Sequence, residues 1–198
     1  MFNSTFKIVY FVLFMIISIV RKFYTSKQRK KAMLIEKKSG GEIFFLVLNA
    51  IGMIIPLIYV FTSSLDFANY YMPDWVGWLG LVLFMDATWL LYLSHRDLGR
   101  HWTITVGLRE DHKLVTKGIY KHIRHPMYAA HILWAIAQPL ILPNWIAGFS
   151  FIIPQILMYW FRVGEEEQMM LEHFGEEYRT YVGTTGRILP KIGREKSD

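Results

Sequence analysis

Seven histidines, a run of three glutamates and a few arginines are the residues of this 198-residue chain that could do chemistry. His95, His101, His112 and His122 precede Arg124-His125, and Arg162 stands four residues before Glu166 in the run Glu165-Glu166-Glu167. Zinc hydrolysis wants two histidines at i and i+4 with a glutamate between them, and di-iron bundles want Glu-x-x-His. Neither pattern is present, since Met170 stands three residues before His173. The absence of cysteine removes thiolate metal sites, iron–sulfur clusters, disulfides and a cysteine nucleophile. None of the fourteen glycines forms G-x-G, so neither a dinucleotide fingerprint nor a phosphate-cradling loop is available. No metal is therefore expected. A nucleotide-bearing cofactor would have to bind among helix ends and loops.

The elements that must position these residues are apolar helices. Hydrophobic residues make up 53% of the chain and charged residues only 19%, the composition of an integral membrane protein. Five apolar runs stand out: Phe6–Val20, Ile43–Phe61, Trp75–Ser94, Met127–Leu142 and Trp145–Phe161. About 20 helical residues cross the hydrocarbon core, so the second and third runs span alone and the others need their flanks. The net charge of +6 could suggest nucleic acid, but the 22 Lys/Arg fall eight in 21–42, seven in 95–125, six in 162–198 and one at Lys7. The positive-inside rule places those three segments in the cytoplasm and the N-terminus outside. Five transmembrane helices satisfy this. The expected fold is an all-α integral membrane protein forming one domain over 1–198, with Pro143-Asn144 closing an outer hairpin. Its cytoplasmic loop and C-terminal helix would form the cofactor site. No nucleic-acid partner is expected.

Inside the runs, Asp86 needs protein or water around it, because an unpaired acid at mid-membrane costs about 3 kcal/mol or more. A structural hydrogen bond is the preferred reading. His131 and Gln138 read as interhelical hydrogen-bonding groups. Pro56, Pro139 and Pro154 each interrupt a run and are expected to kink helices around a cavity.

Three patches carry a resemblance. The first is His112-Lys113-Leu114-Val115-Thr116-Lys117-Gly118-Ile119-Tyr120, followed by Arg124-His125-Pro126-Met127-Tyr128 at the mouth of the fourth run. Arg162 and Glu166-Glu167 make the second, and Phe174-Gly175-Glu176-Glu177-Tyr178-Arg179-Thr180-Tyr181, with Arg187 and Pro190 beyond, makes the third. Together they resemble the isoprenylcysteine carboxyl methyltransferase family, in its shorter prokaryotic or archaeal form, over about residues 95–190. Met170 stands where the family usually has leucine, and Ala129 follows the tyrosine of the R-H-P-x-Y patch.

The resemblance implies an enzyme that uses S-adenosylmethionine, releasing S-adenosylhomocysteine, to methyl-esterify the C-terminal carboxylate of a prenylated cysteine or prenylated protein at the cytoplasmic membrane face. Carried over residue by residue, it assigns the cofactor to His112, Lys113, Leu114, Val115, Tyr120, His125, Pro126, Met127, Tyr128 and Glu166. It makes Arg162 and Glu167 catalytic, with Arg162 on the acceptor's carboxylate, and leaves Arg124 and Arg187 as the next candidates for that anion. Arg124 could equally be a snorkelling anchor, and Tyr178 and Tyr181 could be interfacial aromatics. Membrane phospholipid N-methyltransferases and nicotinamide-dependent sterol reductases have similar C-terminal patches, and a small non-enzymatic transporter remains an alternative.

Overall fold

The computed structural model describes residues 2–28, 33–36, 40–101, 107–109 and 113–191. His112 lies outside them. Five long helices occupy the five apolar runs: α1 (Phe2–Gln28), α2 (Gly40–Phe61), α3 (Asp74–Leu98), α4 (Pro126–Ile141) and α5 (Ile152–Phe174), with a short α6 (Glu176–Thr184) after them. By length and composition, α2 and α3 are apolar enough to cross a membrane alone. The expectation of an all-helical chain needs one correction. Met33–Glu36 (β1) pairs antiparallel with Gly107–Arg109 (β2), tying the segment after α1 to the segment after α3.

The fifth helix also starts later than the apolar run suggests. Asn144 accepts the N–H groups of Ile146 (3.1 Å) and Ala147 (2.8 Å) at its side-chain oxygen, and its carbonyl accepts that of Gly148. These bonds hold residues 144–151 in turns, so Trp145 to Phe151 are not helical. Pro154 then falls in the first turn of α5, where a missing N–H breaks no helical bond. It does not kink a span. Pro56 and Pro139 do lie inside α2 and α4.

Aromatic rings fill the core between α1, α3, α4 and the start of α5. Tyr10 meets Phe84 at 5.2 Å between centroids, Phe84 meets Trp134 at 5.4 Å, and Trp134 meets Phe151 at 5.0 Å. Gln138 sits beside this stack, fully buried. Its oxygen accepts the Tyr10 hydroxyl at 2.9 Å, while its amide donates to the Ala147 carbonyl at 2.7 Å. One residue thereby joins α1, α4 and the turns before α5, as an intramembrane amide should. Large apolar side chains face outward all round, among them Ile8, Val12, Val47, Ile54, Val82, Trp89, Ile153 and Trp160, a surface suited to lipid.

Asp86 departs from its expectation. It lies on the outward face of α3 between Met85 and Trp89, because the helix turns Phe84, Ala87 and Leu91 toward the core. No described residue hydrogen-bonds its side chain.

The helix ends sort the chain into two poles. At one, Lys7 lies 3.8 Å from Asp66 and stacks on Tyr59, and the Tyr70 N–H donates to the Pro143 carbonyl. The opposite pole gathers the ends of α1, α3 and α5 with the starts of α2 and α4, and all three motif patches with them.

Candidate active site

The Leu114–Tyr120 patch is fixed by a glycine turn. Gly118 adopts φ +61°, and a side chain there would collide with the Asp97 carboxylate, which accepts the Ile119 N–H at 2.8 Å. That turn seats Tyr120 in the interior, its hydroxyl toward the Ser94 carbonyl (3.4 Å) and its own carbonyl accepting the Tyr181 hydroxyl at 2.6 Å. Gly118→Ala incurs both the left-handed backbone cost of about 1–2 kcal/mol and displacement of Asp97. The expected result is a lower melting temperature with unchanged helical circular dichroism, and weaker ligand binding at the pocket below.

Arg124-His125-Pro126 enters α4. Pro126 occupies the first helical position, where its fixed φ suits and its missing N–H is not needed. The C-terminal tail holds this entry in place. The Arg124 and His125 N–H groups donate to the Gly186 and Arg187 carbonyls at 2.8 and 2.9 Å, and the Gly186 N–H returns a bond to His122. Arg124 adds a side-chain clasp, with Nη1 2.6 Å from the Thr185 carbonyl. Gly175, at φ +54°, ends α5 and lets α6 fold back beside these residues.

Two neighbouring glutamates of α5 do different work. Glu166 Oε1 accepts the Tyr128 hydroxyl at 2.7 Å and meets Arg162 Nη2 at 3.2 Å, while Oε2 lies 3.7 Å from His125 Nδ1. Glu167 turns to the other side of His125. Its carboxylate accepts from His125 Nε2 (3.1 Å), Arg124 Nε (3.2 Å) and a two-bond fork from Arg187. Burial disfavours its charge, but the hydrogen bonds from His125 and Arg187 and the charges of His125 and Arg124 outweigh that, bringing its carboxyl down to about 2. A depressed carboxyl stabilises the fold above its ordinary value near 4.5, and this contribution is lost only as pH falls from there through about 2. At neutral pH the Glu167 carboxylate is fully charged.

Arg162 is buried, and its second partner lies far away in sequence. Nε sits 3.6 Å from Oε1 of Glu42, in the first turn of α2, so Glu42 and Glu166 flank the guanidinium from two helices. Glu42 is only 2% exposed. An acid one residue before an apolar run was the available signal for it.

These groups surround one cavity of about 540 Å³. Of the expected site residues, Leu114, Val115, Tyr120, His125, Pro126, Met127, Tyr128, Arg162 and Glu166 line it. Glu167 lies behind His125 and Arg124 rather than on the cavity wall, and the Lys113 side chain is exposed to solvent. Tyr178 and Tyr181 are buried and line the same cavity, so neither is a surface belt aromatic. Its other wall is mainly apolar, from Phe14, Ile17, Leu46, Ala50, Met53 and Trp134, with Ser18, Asn49, His131 and Gln155 among them. The cavity thus joins a charged, hydrogen-bonding end to an oily end within the helix bundle. It suits a reaction between a polar cofactor and a lipid-bearing acceptor.

Comparison with known proteins points the same way. The pattern of the isoprenylcysteine carboxyl methyltransferase family matches residues 78–172. Protein-S-isoprenylcysteine O-methyltransferase A of Arabidopsis thaliana is 25% identical over 145 residues, covering 72% of this chain and 74% of the relative. The human protein-S-isoprenylcysteine O-methyltransferase is 30% identical over 146 residues, covering 69% of this chain and 51% of the relative. A solved eukaryotic intramembrane Ras methyltransferase, an isoprenylcysteine carboxyl methyltransferase, superimposes with a TM-score of 0.54 over 80% of this chain and 55% of that one. At 24% identity, this last likeness is one of fold.

Proposed function

Because the chain belongs to the isoprenylcysteine carboxyl methyltransferase family, we infer that it methyl-esterifies the free carboxylate of a prenylated cysteine, with S-adenosylmethionine as methyl donor. The observation that carries this reading is the two-ended cavity, which brings all three motif patches to its polar end and leaves an apolar wall for a prenyl chain.

The residues present fit the cofactor. Tyr120, Tyr178, Leu114 and Val115 offer aromatic and apolar surface for an adenine. Glu166 presents a carboxylate to an ammonium or ribose, and the start of α4 offers first-turn N–H groups and a positive helix end to a carboxylate. When bound, S-adenosylmethionine supplies a methyl group on a positively charged sulfur. The acceptor carboxylate is already ionised at neutral pH, so no side chain need remove a proton. Transfer would form a new C–O bond at one carboxylate oxygen and break the donor's carbon–sulfur bond, whose electron pair would stay on sulfur.

The chain's own task is to align the two reactants and strip water from the anion. Glu166, held by Tyr128 and Arg162, orients the polar half. Glu167 acts one step back, locking His125 and Arg124 against the tail. Arg162, already flanked by two carboxylates, positions Glu166. Calorimetry of the detergent-purified protein with S-adenosylmethionine and S-adenosylhomocysteine tests the cofactor assignment. Saturable one-to-one binding of both is expected, and binding of neither would remove it.

The reading includes five membrane-crossing helices, with the site at the cytoplasmic face, the C-terminal tail inside and the N-terminus outside. The cationic segments all leave the helices at the pole that bears the site, which supports this orientation. Reporter fusions at residues 30, 68, 110 and 190 should read in, out, in and in. An external reading at 110 would overturn it.

A further inference from the structure

Three arginines line the cavity, and two of them face carboxylates: Arg124 meets Glu167, and Arg162 lies between Glu42 and Glu166. The third, Arg21, does not. It continues the inward face of α1 that carries Phe14, Ile17 and Ser18, and among the described residues its guanidinium has one hydrogen-bond partner, Nε2 of His131 at 3.0 Å. His131 Nδ1 lies 2.7 Å from the Met127 carbonyl, an acceptor only, so Nδ1 carries the proton and Nε2 presents a lone pair to Arg21. A neutral imidazole therefore holds the guanidinium in place without cancelling its charge.

A cation inside a largely apolar cavity is costly unless an anion joins it. We propose that Arg21, braced by His131 on the cavity wall, receives the free carboxylate of the methyl acceptor. The inference rests on the methyltransferase reading above and adds the group that binds the reacting anion. Its place supports the acceptor over the cofactor. His131 stands one turn deeper along α4 than Met127 and Tyr128, and its ring lies against the aromatic core, 6.1 Å from Trp134 and 6.3 Å from Phe151 between centroids. A guanidinium fork fits a carboxylate with two parallel N–H bonds, giving orientation as well as charge. Arg21 is the binding residue, and His131 positions it.

The test compares N-acetyl-S-farnesylcysteine with its carboxamide, binding each to detergent-purified wild-type, Arg21→Gln and Arg21→Lys protein in saturating S-adenosylhomocysteine. Wild type should prefer the carboxylate at least tenfold. Arg21→Gln should reduce that preference below threefold with S-adenosylhomocysteine affinity changed less than threefold, and Arg21→Lys should fall between. A full tenfold preference in Arg21→Gln, with normal wild-type turnover of farnesylcysteine, overturns this inference alone. A tenfold loss of S-adenosylhomocysteine affinity in Arg21→Gln also overturns it, by moving the anion to the cofactor's own carboxylate or the role to folding. Wild-type protein that forms no methyl ester on farnesylcysteine would remove the functional reading, and this inference with it.

Discussion

Glu166→Gln should weaken S-adenosylmethionine and S-adenosylhomocysteine binding together, each by about 1.5–3 kcal/mol, which is roughly 10- to 150-fold. The substitution keeps the size of the side chain and an oxygen for the Tyr128 hydroxyl, so the 2.7 Å bond can persist. What it removes is the negative charge facing the cavity beside His125. A charge-assisted contact to the cofactor's ammonium is lost equally for substrate and product, because both carry that group. Titration calorimetry on both ligands checks this. Equal loss for the two identifies a contact away from the reacting sulfur. Unchanged affinity for both would take Glu166 out of the cofactor site.

Arg162→Leu should produce the largest stability effect. Glu42 is 2% exposed, and removing the Arg162 guanidinium takes a counter-charge away from both Glu42 and Glu166, a loss of up to about 3–5 kcal/mol. For a chain of this size that corresponds to roughly 6–20 °C in melting temperature. Adding Glu42→Leu removes one of the two carboxylates that faced the guanidinium, so the double variant should melt above Arg162→Leu alone while remaining inactive. Thermal melts in one detergent, run as a double-mutant cycle, read the coupling directly. Additive effects would mean that the 3.6 Å contact between α2 and α5 contributes nothing measurable.

The contrast between these two residues shows what a sequence can disclose. Glu166 belongs to a contiguous patch and sits one helical turn after Arg162, a relation visible in the chain itself. Glu42 and Arg21 come from the first two helices, 120 and 110 residues from their partners Arg162 and His131 on the cavity wall, and no local pattern encodes those pairings. Arg21 counted among the cations that set topology, since a basic residue after an apolar run serves that purpose whichever way it points. Helix phase decided its direction: it falls three and four residues after Ser18 and Ile17, on the face that α1 turns inward.

The length of the apolar runs located all five long helices, because runs of that length have few alternatives. It misplaced the start of α5, where the Asn144 side chain spends its oxygen on turn N–H groups and delays the helix by seven residues. It also left Asp86 to be paired when the register of α3 turns it outward. The short β1–β2 ribbon carries no strong period of its own. Pairing between two distant loops creates it.

The most direct test of the whole account is transfer of labelled methyl from S-adenosylmethionine to farnesylcysteine by the purified protein, followed by base treatment of the product. A carboxyl methyl ester hydrolyses and releases the label as volatile methanol, whereas a methylated amine retains it. The account predicts base-labile label on the free carboxylate, none on the matching carboxamide, and loss of the signal with excess S-adenosylhomocysteine. Label that survives base, or tight cofactor binding with no label on any prenylated cysteine, would contradict it.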